Sequence, residues 1–255
     1  MRVRFAGPAR QMILVTGSAG RVGQAVVKEL LAQKLPVVGF DKRPTPGLSN
    51  AIVGDMKDME ALNSAFHGVS ALIHLASTPD ESHFRRDLVP NNILGLHNVL
   101  ECARDAEVKR LILTSTGQVN HWQREKQERT ITADDPVTPY SWYASTKVFA
   151  EAIGRSYAEM YGMSVFVVRL GWVPRDKAHA DECKKEFWAK DVYLSPGDAG
   201  RFFAAAVQAP ENIKYKIFYA TSQPKDMERF DLGPAKALLH WEPKDMWPEG
   251  LEFKV

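Results

Sequence analysis

Four apolar residues, Met12 to Val15, run directly into Thr16-Gly17-Ser18-Ala19-Gly20-Arg21-Val22-Gly23, and an amphipathic pattern starts inside that run. Val22, Val26 and Leu30 recur every fourth residue with Val27 and Leu31 beside them, the spacing of one helix face. A strand, a glycine turn and a helix in this order leave few folds open. Gly17 lets the chain leave the strand in a tight turn, Gly20 admits a close approach to the backbone, and Gly23 lets the helix lie close on the sheet. The unpaired N–H groups and positive dipole end of the helix N-terminus then favour an anion, as in a dinucleotide's pyrophosphate. Arg21 and Val22, between the last two glycines, join this candidate phosphate-binding turn.

A second strand-like stretch, Pro36 to Phe40, ends in Asp41, eighteen residues past Gly23. A carboxylate there accepts hydrogen bonds from the adenosine ribose hydroxyls and repels a 2′-phosphate, so it favours NAD over NADP. Lys42 and Arg43 follow it. They either offset the repulsion or are exposed loop charges, and the local sequence allows both.

Strand-like segments near 12–16, 36–40, 51–54, 71–76, 108–115, 164–170 and 215–220 alternate with helical patterns near 21–34, 58–67, 84–105, 140–162 and 197–209. This alternation predicts an α/β fold with a doubly wound parallel sheet, Rossmann-like, and a small C-terminal substrate lobe. The expected division is an N-terminal extension over 1–11, an NAD-binding domain over 12–170 that includes the catalytic helix, and a lobe over 171–255 interleaved with the last strand and helices of the sheet. Ligands in such sheets bind outside the carboxyl ends of the strands. At the third strand's end, Asp55 and Met56 face a candidate adenine site; Asp55 serves equally well as a cap for the helix that follows. The fourth strand narrows to Leu75-Ala76-Ser77, which leaves room for a cofactor. His74 within it reads as a hydrogen-bonded core histidine. Asn91 and Asn92 interrupt a helical pattern, either to tie it to the site or to face water.

A net charge of +2 with 25% charged residues implies no broad basic face, so nucleic acid and anionic membranes are not expected partners. No stretch approaches the ~20 apolar residues of a membrane span. Two cysteines, Cys102 and Cys183, suit a reducing cytoplasm, and the seven histidines form no metal-binding pair, so no metal is expected. Lys184 and Lys185 would lower the Cys183 pKa if that thiol were functional.

Tyr143 and Lys147 stand four residues apart in Ser141-Trp142-Tyr143-Ala144-Ser145-Thr146-Lys147, on one face of a helical segment. A nearby ammonium and an oxidised nicotinamide favour the phenolate, bringing a tyrosine base nearer neutrality. The fifth strand ends in Thr114-Ser115-Thr116-Gly117-Gln118, where a hydroxyl can hold a substrate oxygen while Tyr143 moves the proton.

With these residues in order, together with His74-Leu75-Ala76, Asn92-Ile93-Leu94-Gly95, Arg169, Leu194-Ser195-Pro196-Gly197-Asp198 and Leu238-Leu239-His240-Trp241-Glu242-Pro243, the chain resembles the extended short-chain dehydrogenase/reductases, the NAD-dependent epimerase/dehydratase family. The resemblance spans nearly all of residues 12–242. It implies that Tyr143 is the acid/base, that Lys147 binds the nicotinamide ribose and lowers the tyrosine pKa, that Thr116 replaces the usual serine, and that Asn92 supports the site. Thr116 is chosen over Ser115 by its position before Gly117. The phrase Asn92 to Asn98 resembles uronate dehydrogenases, which oxidise C1 of a hexuronic acid. Several positions depart from that branch: Thr116-Gly117-Gln118 replaces Ser-Asn-His, Trp172 replaces a serine, and the carboxylate-binding arginine has no clear counterpart, Arg175 being either its substitute or a solvated loop arginine. The expected substrate-side residues are Ser77, Thr116, Gly117, Gln118, Tyr143, Trp172 and Arg175. The expected activity is NAD-dependent hydride transfer at the hydroxyl carbon of a small polar molecule such as a uronic acid or aldose, by a homodimer. Alternatives are a sugar epimerase or dehydratase with tightly bound NAD, and a non-catalytic regulator.

Overall fold

In the computed structural model, which describes residues 12–126 and 129–248, seven strands form one wholly parallel sheet in the order β3-β2-β1-β4-β5-β6-β7. They are β1 (Met12–Thr16), β2 (Val37–Asp41), β3 (Ala51–Val53), β4 (Val69–His74), β5 (Arg110–Thr116), β6 (Ser164–Leu170) and β7 (Tyr215–Ala220). Their central members are near-continuous apolar runs because helices cover both faces. Helix α1 (Arg21–Ala32) packs with α7 (Pro196–Gln208) and α8 (Gly233–Leu239) on one face, where Val26, Leu30, Phe202, Phe203 and Trp241 join one core cluster. Helices α2 (Met59–Ala65), α3 (Gly95–Asp105) and α5 (Trp142–Tyr161) cover the other, around Leu62, Val99, Leu100 and Tyr157. Because β1 lies between β2 and β4, the chain reverses direction across the sheet at the β1/β4 junction, and a crevice opens at the carboxyl ends of those two strands.

Five segments differ from the sequence expectation. The pattern over 84–105 divides into a π-helix, Phe84–Leu94, and α3. Pro90 lies inside the first part; it has no N–H to donate, and the Gly95 N–H bonds to the Pro90 carbonyl five residues back. Helix α5 begins at Trp142, because Ser141 is extended and its hydroxyl accepts from the Ala144 N–H at 3.1 Å. Helices α4 (His121–Lys126), α6 (Lys177–Lys185) and α8 were not anticipated. Only Ala180 and Cys183 of α6 are buried, too few to show a period, and its start is set by Asp176 capping the His179 N–H at 2.8 Å. The proposed extension over 1–11 lies outside the described residues, and the mixed-charge stretch 124–129 is helical through Lys126 before passing beyond them.

A third, smaller cluster sits past the ends of β6 and β7. It gathers Cys183, Trp188, Val192, Tyr193, Tyr219, Phe230 and Trp247, with Trp172 against it. Cys183 is completely buried there, and burial pushes its thiol up to about 12. Lys184 and Lys185 therefore do not activate it. Cys102 is likewise buried, in the α3 face of the core. Among the described residues no helix is long and apolar enough to cross a membrane, and no group of His, Cys, Asp or Glu side chains is placed to hold a metal ion.

His74 is the core histidine its apolar setting implied. Its Nδ1 lies 2.8 Å from the Thr16 hydroxyl, and burial, helped by the Lys147 charge, lowers its pKa to about 3. The unfolded chain therefore takes up a proton near pH 6.5 that the folded chain refuses until about pH 3, so stability falls as pH drops through that window. A loss of about 3 kcal/mol by pH 4 is expected. Urea titrations at pH 7 and pH 4 measure it, and a His74→Asn variant should lose less between the two. Equal losses in both proteins would remove His74 as the cause.

Candidate active site

A cleft of about 920 Å³ runs along the carboxyl edge of the sheet from the β1 turn to the third cluster. Its floor is made by the glycine turn. Gly17 has φ +72°, and a Cβ there would stand 2.7 Å from the Ala76 backbone nitrogen at the end of β4. A Cβ on Gly23 would come 2.1 Å from the Gly17 carbonyl oxygen, so this glycine brings α1 against the turn itself rather than against the sheet. Gly20 is the N-cap of α1 and supplies no side-chain cap, which leaves first-turn N–H groups facing the cleft. A dinucleotide pyrophosphate fits this cradle: any side chain at Gly17 or Gly23 would close it, and the helix end presents donors where the anion would lie.

Asp41 ends β2 at the rim. Its carboxylate accepts from the Ala19 N–H at 3.1 Å and the Arg43 N–H at 3.0 Å, locking the glycine turn to the second strand. The two cations after it are already engaged. Lys42 Nζ sits 3.2 Å from Asp55 Oδ2, and Arg43 Nη2 donates to the Ala19 carbonyl at 3.3 Å.

Every residue assigned to cofactor or substrate from the sequence lines this cleft except Asp55, and of the assigned catalytic residues only Asn92 does not. The Asp55 carboxylate turns to Lys42 and to Lys57, 3.4 Å away, and to the Lys57 N–H. These partners outweigh its partial desolvation and lower its pKa. Nor does Asp55 cap α2; Asp58 does, accepting from Glu60 and Ala61. Asn92 reaches no reacting atom. Its amide accepts from the Thr78 N–H at 2.7 Å and donates to the Thr146 hydroxyl at 3.1 Å, tying the π-helix to α5 beside Lys147.

Tyr143 and Lys147 emerge from α5 into the middle of the cleft, both largely buried. The Lys147 ammonium lies 5.7 Å from the Tyr143 ring centroid and donates to the Ser77 hydroxyl at 3.1 Å; burial brings its pKa down to about 8. The expected depression of the tyrosine is absent from the free site. Burial, reinforced by the Asp80 charge, raises the Tyr143 pKa well above its usual value, and the hydrogen bonds from the Thr116 hydroxyl and the Asp80 backbone only partly oppose this. Strand alternation gives the two β5 hydroxyls different partners. Ser115 donates to Glu151 Oε1 at 2.6 Å, whereas Thr116 faces Tyr143.

Behind this pair lies a buried ion pair. Arg169 on β6 grips both carboxylate oxygens of Glu151, at 2.9 and 2.8 Å, and its third nitrogen meets Asn120 and the Tyr219 hydroxyl. Glu151 follows Lys147 by one helical turn, so the pair fixes the catalytic helix to β5 and β6 together. The far end of the cleft is aromatic. The Trp172 indole N–H donates to His179 Nε2 at 2.6 Å and its ring packs 5.5 Å from Trp188. Arg175 pairs with Asp80 at 3.2 Å. Asp80, His121, Tyr140, His179, Glu182, Glu186 and Phe230 line the cleft without having been anticipated. None stands in a motif; the segments after β4, β5, β6 and β7, α6 among them, bring them there.

Residues 13–173 match the NAD dependent epimerase/dehydratase family. The chain is 34% identical over 212 residues to L-arabinose 1-dehydrogenase (NAD(P)(+)) of Haloferax volcanii, covering 77% of this chain and 82% of that protein. It is 26% identical over 244 residues to the uronate dehydrogenase of Pseudomonas syringae pv. tomato, covering 91% and 82%. A solved structure described as a mutated uronate dehydrogenase superposes with a TM-score of 0.78 at 26% identity, over 92% of this chain and 82% of that one. The chain therefore belongs to the NAD dependent epimerase/dehydratase family, the extended short-chain dehydrogenase/reductases, with NAD as its cofactor.

Proposed function

We propose that the protein is an NAD-dependent oxidoreductase that oxidises a small sugar, an aldose or uronic acid, at its C1 hydroxyl. The observation that carries this reading is the meeting of Thr116 and Tyr143 beside Lys147 in the middle of the cleft. Bound NAD supplies the hydride acceptor. The Thr116 hydroxyl holds the substrate oxygen, and the Tyr143 oxygen takes the C1 hydroxyl proton as the C1–H electron pair leaves and C1=O forms. Products are a lactone, NADH and a proton. Burial keeps Tyr143 protonated in the free protein, so its ionisation waits for the charged site to be complete, with the Lys147 ammonium alongside. The relatives named as L-arabinose and uronate dehydrogenases support C1 of a sugar as the reacting centre. Incubation with NAD and a panel of aldoses, uronic acids, nucleotide sugars and simple alcohols, followed as NADH absorbance, tests it. Turnover confined to nucleotide sugars or to apolar alcohols would overturn it.

NAD should be preferred over NADP by at least about tenfold in kcat/KM, since Asp41 repels a 2′-phosphate while Lys42 and Arg43 are held by other acceptors. Asp41→Ser should narrow the ratio. Parity in the unaltered protein would show that the two cations turn to the phosphate.

The third apolar cluster serves, in this reading, as the substrate lobe, closing the far end of the cleft with Trp172 and Trp188. The free thiols of Cys102 and Cys183 support a reducing cytoplasm. A homodimer is the expected assembly, and light scattering on the purified protein reads its mass.

A further inference from the structure

The charges of the cleft divide unevenly between its two halves. Arg21, Lys42, Arg43 and Lys147 stand along the glycine turn, the end of β2 and the end of β4, where a pyrophosphate and ribose would lie. Beyond Tyr143, among the described residues, the cation lining the cleft is Arg175, paired with Asp80 at 3.2 Å, while the Arg21 guanidinium reaches from the glycine turn to the Arg175 carbonyl at 3.5 Å. His179 adds no charge: burial, then the Arg175 cation, lowers its pKa, and its Nε2 accepts from Trp172. Glu182 on α6 and Glu186, in extended backbone just past its end, line the same half.

We propose that this cleft selects a neutral, unphosphorylated aldose against sugar acids and sugar phosphates, and that Asp80 sets the selectivity by neutralising Arg175. The inference rests on the sugar-dehydrogenase reading above. A neutral sugar gives Glu182, Glu186 and Asp80 hydroxyl donors to bind, and its apolar ring face fits Trp172 and Trp188. A carboxylate or phosphate meets three acidic side chains, with the Arg175 guanidinium already paired to one of them. Asp80 is also built to stay where it is. It has φ +76°, a left-handed conformation that Asp and Asn tolerate best, and its backbone is held against the Tyr143 hydroxyl.

That conformation makes Asp80→Asn the informative substitution, since it removes the charge and suits the same backbone. In the unaltered protein kcat/KM should be at least about tenfold higher for L-arabinose and D-galactose than for D-galacturonate and D-glucose 6-phosphate. Asp80→Asn should shift the galacturonate-to-galactose ratio toward the acid by about fivefold, and adding Arg175→Ala should cancel the shift. Calorimetric binding of the same sugars to the Tyr143→Phe protein loaded with NAD reads the preference without turnover, and galactose should bind more tightly than galacturonate. A preference for galacturonate in the unaltered protein, or an Asp80→Asn ratio unchanged within twofold, overturns the inference while leaving the dehydrogenase reading intact. Absence of turnover with all four sugars, with NADH formed from a different class, overturns that reading and the inference with it.

Discussion

Replacing Tyr143 by Phe should lower kcat by about 10³-fold. One hydroxyl is lost from a side chain packed on α5, so the fold is unaffected, and NAD affinity should stay within a few-fold because Lys147, Ser77 and the glycine turn are untouched. The large effect follows from the site's composition. Thr116 and the Asp80 backbone approach the Tyr143 hydroxyl, and neither can take a proton from a substrate at neutral pH. The Lys147 ammonium is engaged by Ser77, and the Asp80 carboxylate is paired with Arg175. Steady-state rates and a fluorescence titration with NADH measure the two quantities. Turnover within tenfold of the unaltered protein would mean that another group moves the proton.

The second large effect is on stability. Arg169 is 1% exposed and meets Glu151, Asn120 and Tyr219 without reaching solvent. Arg169→Ala leaves the Glu151 carboxylate buried with Ser115 as its remaining side-chain donor, and breaking a buried pair in this way costs about 3–5 kcal/mol. Tm should fall by roughly 10 °C in a chain of this size. Catalysis should fall as well, because Ser115 and Glu151 adjoin Thr116 on β5 and Lys147 on α5. Glu151→Ala should be comparably harmful, whereas replacing both partners with apolar residues should recover part of the stability. A single-variant Tm within 2 °C of the unaltered protein would show that the pair contributes little.

What could be read in the chain and what could not divides by the range of the interactions involved. The glycine turn was legible because Gly17 and Gly23 act on their own neighbourhood: a positive φ and a contact between residues six apart. The Tyr143 and Lys147 pair was legible because helical spacing puts residues four apart on one face. The parallel sheet followed from seven apolar runs separated by helical periods. The helical run over 84–105 was legible as an element, yet its division at Leu94 depended on which carbonyl the Gly95 N–H would find past Pro90.

The sequence by itself determined the fold, the glycine-turn cradle and the pairing of Tyr143 with Lys147, all of which rest on contacts within a strand, a turn or one helical face. Only the tertiary structure decided the rest. That Ser115 serves Glu151 while Thr116 serves Tyr143 depends on which elements cover each side of β5. The Asp55 carboxylate turns to lysines on either side of it in the fold, and Asp80, ninety-five residues before Arg175, takes the guanidinium that the sequence left free for a substrate. The charge and ring surfaces of the substrate half come from loops after β4, β5 and β6 and from α6, which share no period and no motif. Their side chains meet only because the parallel sheet brings the carboxyl ends of its strands to one edge.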